Sequence, residues 1–276
     1  MKKKVCTTKD YLGSGEKFEI VWSEYNGIAR TYPKPLKNKL KEYYNSENYI
    51  SHNPKAIGFI SLIYLGIRAL MNRYKLKMIK PFLSKKDKVL DFGSGTGSFL
   101  YKLNLKYESY GVEPNDFARS ISLEKGLRVV SAIEEYKVKF NMIFLWHSLE
   151  HVYDINKTIN EFSQKINSKG ILVIALPNIS SFDAKKYKSF WSGYDVPRHL
   201  WHFTEEGIKD FLERKKFKFI KKRPLFWDAL YISYLSEKYR KSKLSLIKGV
   251  FWGIISNLNA IKTGEFSSKV YFFRKI

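Results

Sequence analysis

The chain has 276 residues, 44% of them hydrophobic, enough for one α/β core with sizeable additions. No run of about 18 uncharged apolar residues is present, which argues against a membrane-spanning helix, and residues 1–5 lack a signal peptide's apolar stretch; a cytoplasmic protein is expected. The formal net charge is +24, and the single cysteine, Cys6, excludes an intramolecular disulfide.

Residues 1–55 are polar and tyrosine-rich, with turn signals at Gly13-Ser-Gly15 and Pro33-Lys-Pro35, and are expected to form a small irregular lobe. Residues 56–84 carry apolar positions from Phe59 to Met71 at helical spacing and predict one or two leading helices. Residues 85–222 alternate in the way a doubly wound, mostly parallel sheet requires. Strands are expected near 88–92, 109–113, 127–130, 140–146, 170–176 and 217–222. Helices fall between them at 98–105 and 115–125, after Asp154 as N-cap and up to Gly170, and after Thr204 as N-cap. Residues 223–276 contain two amphipathic segments, 226–235 and 244–258, then Ser268-Lys-Val-Tyr-Phe-Phe-Arg274.

The most informative stretch is Val89-Leu-Asp-Phe-Gly-Ser-Gly-Thr-Gly-Ser98, a buried strand running into a glycine-rich turn and a helix. Glycine permits close approach of a charged ligand to bare main-chain N–H groups. A dinucleotide loop has its third glycine one place later, whereas Gly93, Gly95 and Gly97 spell D-x-G-x-G-x-G from Asp91. A second apolar strand ends at Glu113, about 20 residues after the first glycine, the place of a group that hydrogen-bonds ribose hydroxyls.

On these residues the chain resembles the class I S-adenosylmethionine-dependent methyltransferases, whose first motif is D-x-G-x-G-x-G and whose second ends in an acidic residue. The resemblance runs over roughly Lys85 to Lys222. It implies a Rossmann-like methyltransferase fold, with residues 268–274 as a closing strand near the sheet edge, and S-adenosylmethionine as cofactor. Asp91 and the three glycines would position its methionine part and Glu113 its ribose.

The second stretch is Leu145-Trp-His-Ser-Leu-Glu-His-Val152. On a helical turn His147, Glu150 and His151 would point to one side, a spacing able to hold a divalent metal. The letters also match an inverted zinc-protease motif, but that belongs in a long helix and here follows an apolar strand. The segment is similar to the L-E-H-V segment of bacterial methyltransferases related to those that O-methylate quinone precursors. Some of those bind a divalent metal with an acidic residue at the position of His147. His147 replaces it here, so no metal is assigned: His147 is placed at the cofactor's methionine end, and His151 is a candidate general base.

The third stretch runs from Leu176-Pro-Asn-Ile-Ser-Ser181 to Phe190-Trp-Ser-Gly-Tyr-Asp-Val-Pro-Arg-His-Leu-Trp-His-Phe-Thr204, too long for an ordinary connection and expected to cover the active site. Trp191, Tyr194, Trp201 and Phe203 are able to build an apolar pocket, with Asp195, Arg198, His199 and His202 adding polar contacts; alternatively the loop is packed and Arg198 pairs with Asp195. His199 is the second candidate base. Some relatives hold zinc with clustered N-terminal cysteines; with Cys6 alone, none is expected here.

The expected activity is methyl transfer, most simply O-methylation, to a small-molecule, lipid-like or glycan-like acceptor. Lys238, Arg240, Lys241 and Lys243 lie between the amphipathic segments, where peripheral contact with an anionic inner-membrane face would use them. The positive charge is spread along the chain as on solvated faces, making nucleic acid the less favoured partner. The rivals are an RNA methyltransferase, a nicotinamide oxidoreductase, and a non-catalytic cofactor-binding or membrane-associated module.

Overall fold

The computed structural model describes residues 3–44 and 59–276. Three strands open the chain: β1 (Lys4–Lys9), β2 (Lys17–Trp22) and β3 (Ile28–Tyr32). They form an antiparallel sheet in which β3 also pairs with β9 (Trp201–Phe203), so the distant 190s loop supplies its fourth strand. The part expected to be irregular is therefore a sheet, at least through residue 32. Alternation is faint there: in Lys-Phe-Glu-Ile-Val-Trp of β2 both Ile20 and Val21 are buried, because this sheet packs on its neighbours rather than facing water. The lobe's last part, residues 45–55, and the start of the leading-helix segment, 56–58, lie outside the described residues.

Among the described residues one leading helix, α1 (Phe59–Ile79), follows; of its predicted apolar stripe, the side chains up to Ile67 lie outside the described residues. The core then runs β4 (Lys88–Phe92), α2 (Ser98–Asn104), β5 (Glu108–Val112), α3 (Asp116–Glu124), β6 (Val129–Val130), β7 (Phe140–Trp146), α4 (Ile155–Lys165) and β8 (Ile166–Pro177). It continues with α5 (Phe182–Tyr187), α6 (Glu205–Glu213), β10 (Phe217–Pro224), α7 (Phe226–Tyr239), α8 (Ser245–Thr263) and β11 (Ser268–Lys275). The helix caps match the sequence: the Asp154 side chain accepts from the Lys157 N–H (2.9 Å) and Thr204 from the Gly207 N–H (3.0 Å).

The seven-stranded sheet has the order β10-β11-β8-β7-β4-β5-β6. From β6 to β8 the pairing is parallel; β11 runs antiparallel to both β8 and β10. The closing strand is thus one place in from the edge, and β10 is the edge. Its position fits its sequence: Val270, Tyr271, Phe272 and Phe273 are buried on both faces, as only an interior strand allows. Strand side chains alternate between two cores. Leu90, Ile143, Leu145 and Leu172 meet α4 and α6 through Ile159, Phe162, Ile208 and Phe211. Val89, Met142, Phe144 and Val173 meet α1 and α2 through Ile79, Phe99 and Leu103.

The sheet reverses between β4 and β7, so the carboxyl ends of β4, β5 and β7 open a crevice there, the usual ligand position in such folds. Helices α7 and α8 pack backbone to backbone: a Cβ added at Gly249 or Gly253 would strike Tyr234 or Leu230. The outward face of α8 leaves Leu246, Ile247, Phe251, Ile254, Leu258 and Ile261 exposed. Among the described residues no helix is long and apolar enough to cross a membrane.

Candidate active site

The glycine loop is held from three directions. From β5, Glu113 reaches back so that Oε2 accepts from the Gly95 N–H and Oε1 from the Asn115 N–H, each at 2.8 Å. From α3, the Ser122 hydroxyl donates to the Gly95 carbonyl (2.9 Å); from α1, Asn72 Nδ2 donates to Ser98 Oγ (3.1 Å). Gly97 begins α2 at φ 76, and a Cβ on it would strike Leu127 and Ser122. A Cβ at Gly93 would strike Ser148, whose hydroxyl donates to the Phe92 carbonyl (2.8 Å), tying the turn after β7 to the loop. At Gly95 an added Cβ would meet nothing, so bare backbone faces open space beside the buried Glu113 carboxylate. That is the surface a nucleoside with free ribose hydroxyls requires, and the residues fit S-adenosylmethionine.

Asp91, at the end of β4, is buried, and burial pushes its carboxyl up to about 7; Lys75 on α1 opposes the rise and Glu113 adds to it. Lys75, lowered by burial, lies 4.5 Å from the centre of the Trp146 ring. Lys75 is not among the site residues expected from sequence. Its signal was the three-residue spacing from Asn72, which puts both on the helix face that covers the loop.

The turn after β7 does not bring His147, Glu150 and His151 to one side. His147 sits in the left-handed region (φ 54), and residues 149–151 form a short 3-10 turn. The His147 ring lies between two carboxylates, with Nε2 3.0 Å from Asp228 Oδ2 on α7 and Nδ1 3.3 Å from Glu150 Oε1. Burial opposes its charge, but the bonds to Asp228 and then Glu150 raise it to about 10. Asp228, from the Phe-Trp-Asp start of α7, was missed because nothing local marks it as a partner of residue 147.

Glu150 is 1% exposed, and its partner is the His147 ring at Oε1. Burial works to raise it; His147, with smaller help from His199 and His151, holds it at about 2. His151 turns toward the 190s loop, its ring in edge contact with His199 at 4.6 Å between centres. Burial, then His199, lowers His151 to about 4, so it is neutral at pH 7 and accepts a proton only weakly. Two bonds fasten the loop here: the Leu200 N–H donates to the Glu150 carbonyl (2.8 Å) and Trp201 Nε1 to the Val152 carbonyl (2.9 Å).

The remaining candidates in the 190s loop are packed. Trp191, Tyr194, Trp201 and Phe203 are all buried; the cavity beside Trp191 and Tyr194 holds about 10 Å³. Arg198, 1% exposed, donates to Asp195 Oδ1 (2.7 Å), Asp10 Oδ1 (2.9 Å) and the Tyr43 carbonyl (3.1 Å), clamping the N-terminal sheet to the core. The Arg198–Asp195 pair is the packed-loop alternative; the partner unforeseen from sequence is Asp10. His202 is also internal, with Nε2 3.0 Å from Thr31 Oγ1, and burial lowers it to about 3. The structure thus gathers the candidates in two groups: Asp91, Gly93, Gly95, Gly97 and Glu113 on the loop, and Glu150, His151 and His199 across the Ser148 turn. His147 lies between Glu150 and α7.

A family model described as a methyltransferase domain matches residues 66–222. Two curated relatives are tRNA U34 carboxymethyltransferases. That of Campylobacter fetus subsp. fetus is 29% identical over 160 residues, covering 52% of this chain and 56% of that protein. That of Aliarcobacter butzleri is 26% identical over 164 residues, covering 52% of each. The chain spans about half the length of the curated relatives it matches. Among solved structures, magnesium protoporphyrin IX methyltransferase from Synechocystis with bound S-adenosylhomocysteine aligns with a TM-score of 0.57 at 11% identity, covering 87% of this chain and all of that one. A possible histamine N-methyltransferase from Thermotoga maritima aligns with a TM-score of 0.52 at 20% identity, covering 78% and 96%. At those identities the structures establish the fold.

Proposed function

The chain belongs to the methyltransferase-domain family, as an S-adenosylmethionine-dependent enzyme, and from that premise we propose that it methylates a nucleophile carried by tRNA. The observation that carries the acceptor is the pair of tRNA-modifying relatives. The net charge of +24 supports it, since neutralising phosphates releases counterions and provides affinity.

The cofactor supplies a methyl group already activated on a sulfonium. When bound, it would offer that methyl group to an accepting atom held in line with it, and an acceptor that carries a proton would need a base to take it. The protein's work is alignment, for which Asp91, Gly93, Gly95, Gly97 and Glu113 hold the donor side. His147, paired with Asp228 and Glu150, supports the wall at the methionine end. His199 and His151 serve the acceptor side, as groups that hold the accepting atom or take its proton.

Mobility shifts of purified protein with bulk tRNA, taken from 50 to 200 mM salt, test the acceptor, alongside transfer of a radiolabelled methyl group. Binding through six or more phosphates loses about 1,000-fold or more over that range. Salt-insensitive or absent binding, with no label in tRNA, would remove this reading.

A specific observation favours a second one, a small or lipid-like acceptor met at an anionic membrane. Helices α7 and α8 expose Trp227, Tyr231, Ile247 and Phe251, and Lys238, Arg240, Lys241 and Lys243 lie at the end of α7 and in the connection to α8. Co-sedimentation with phosphatidylcholine vesicles containing phosphatidylglycerol, absent with pure phosphatidylcholine, would support it.

A further inference from the structure

We propose that the α7–α8 hairpin is an in-plane anchor on an anionic lipid surface, with the outward stripe of α8 immersed among acyl chains and the hairpin's cations at the headgroups. This deepens the second reading above by naming the docking surface and its orientation, and rests on that reading only for the acceptor, not for the docking.

Ile247, Val250, Phe251, Ile254, Leu258 and Ile261 are between 41% and 67% exposed. At helical pitch they fall within an arc of about 100°, and Ile247 to Ile261 spans about 21 Å of the axis. The opposite side of α8 is taken up by packing: Gly249, Gly253, Ser256 and Ala260 are buried, and the Ser256 hydroxyl donates to Asp183 Oδ1 (2.8 Å). The helix is thereby fixed with its apolar residues outward, and a continuous aliphatic stripe of this length marks an interaction surface. On α7, Trp227, Tyr231 and Lys238 are exposed and recur at i, i+4 and i+11 on one helix face, with Lys238 Nζ 5.8 Å from the centre of the Tyr234 ring. Tryptophan and tyrosine settle where headgroups meet hydrocarbon, and lysine stems lie along apolar surface with the charge kept in water.

Charge chooses the occupant. Residues 226–264 carry Lys238, Arg240, Lys241, Lys243, Lys248 and Lys262 against two carboxylates. Both carboxylates are engaged: Asp228 Oδ2 lies 3.0 Å from His147 Nε2, and Glu237 is 3% exposed with Arg240 Nη1 at 3.8 Å. The next carboxylate, Glu265, accepts from Asn178 Nδ2 (2.7 Å) and Lys269 Nζ (3.0 Å). A second copy laid on this hairpin by two-fold symmetry would set the same cations against each other. An RNA backbone would answer the cations and leave the aliphatic stripe in water. A bilayer with anionic lipids does both, burying the stripe and answering the charge. The anchor also reaches the site, because Asp228 in the first turn of α7, next to Trp227, holds the His147 ring of the turn after β7. An acceptor whose tail stays in the bilayer would bring its head to that turn.

The test uses the full chain and vesicles of phosphatidylcholine with or without phosphatidylglycerol. Binding should require phosphatidylglycerol. Replacing Lys238, Arg240, Lys241 and Lys243 together by glutamine should weaken it by about 100-fold or more, at roughly five-fold per cation. Ile254→Asp combined with Leu258→Asp should do the same through the lost apolar burial. Orientation is read from nitroxide labels in a Cys6→Ser chain: Ile247→Cys, Ile254→Cys and Ile261→Cys should report one common depth below the phosphates, and Asn259→Cys should stay in water. Stabilisation by S-adenosylhomocysteine on the same samples reports separately on folding and on the cofactor reading. Absence of binding to the anionic vesicles overturns the proposal, as does binding that survives both sets of substitutions or a depth that rises steadily from residue 247 to residue 261. So does a lipid-free dimer that Ile254→Asp dissociates, or tRNA binding lost with the four cations in a chain that ignores vesicles.

Discussion

The glycine-loop side of the crevice, proposed as the donor side, and the side at the turn after β7, proposed as the acceptor side, are built differently. On the donor side, Asp91 to Glu113 fall within 23 consecutive positions, and each joins two adjacent strands or the helix between them. On the acceptor side, Glu150 and His151 are completed by His199, Leu200 and Trp201, which are locked in turn to Asp10 through Arg198. A motif suffices for the first; the second exists only when the N-terminal sheet, the 190s loop and the β7 turn have come together. Substitutions on the acceptor side should therefore cost folding stability, and those on the donor side chiefly ligand affinity.

The largest expected effect is at the clamp. Arg198→Ala leaves Asp10 and Asp195 buried without their cation and should lower unfolding stability by about 3–5 kcal/mol, measured by urea titration. A loss under about 1 kcal/mol would mean that the N-terminal sheet docks by apolar packing alone, and would collapse the contrast.

Glu113→Ala should weaken S-adenosylhomocysteine binding by about 10- to 100-fold in calorimetry, the value of hydrogen bonds to a charged group, while the thermal transition stays cooperative. Unchanged affinity would remove Glu113 from the site.

A smaller effect should be visible in pH. Asp91 holds its proton up to about 7 in the folded chain, against 3.8 ordinarily. Its folded value is raised, so its contribution to ligand-free stability is complete below about pH 4 and is lost as pH rises toward 7. Cofactor binding runs the other way. The carboxylate that would receive the ammonium of the methionine part forms as pH passes 7, and affinity should climb between pH 6 and 8. Asp91→Asn should flatten that profile in calorimetry at several pH values; an equally steep profile in the variant would place the titrating group elsewhere.

The smallest expected effect is Thr204→Ala, which removes the cap of α6 and should cost about 1 kcal/mol of thermal stability with cofactor affinity unchanged. Loss of affinity there would show that the loop ending at Thr204 also shapes the donor side.

Particular residues show where sequence was enough. The D-x-G-x-G-x-G loop, the acidic end of β5, and the Asp154 and Thr204 caps were legible because each depends on hydrogen bonds a few residues apart or on adjacent strands. The helical-turn reading of His147, Glu150 and His151 came from spacing, and the left-handed backbone at His147 broke it. The aromatic residues expected to line a pocket were legible as apolar but not as core, since burial depends on the N-terminal strands that cover them.

By itself the sequence determined the order of strands and helices in the core, the Asp154 and Thr204 caps and the glycine loop, since periodicity and short-range hydrogen bonding are local properties of a chain. Only the tertiary structure decided that β11 lies inside β10, that Lys75 approaches Asp91 and Asp228 pairs with His147, and that His199 stands beside Glu150 and His151. Those outcomes depend on which distant surfaces bury one another, and a buried charge is paired by whatever group the packing brings to it.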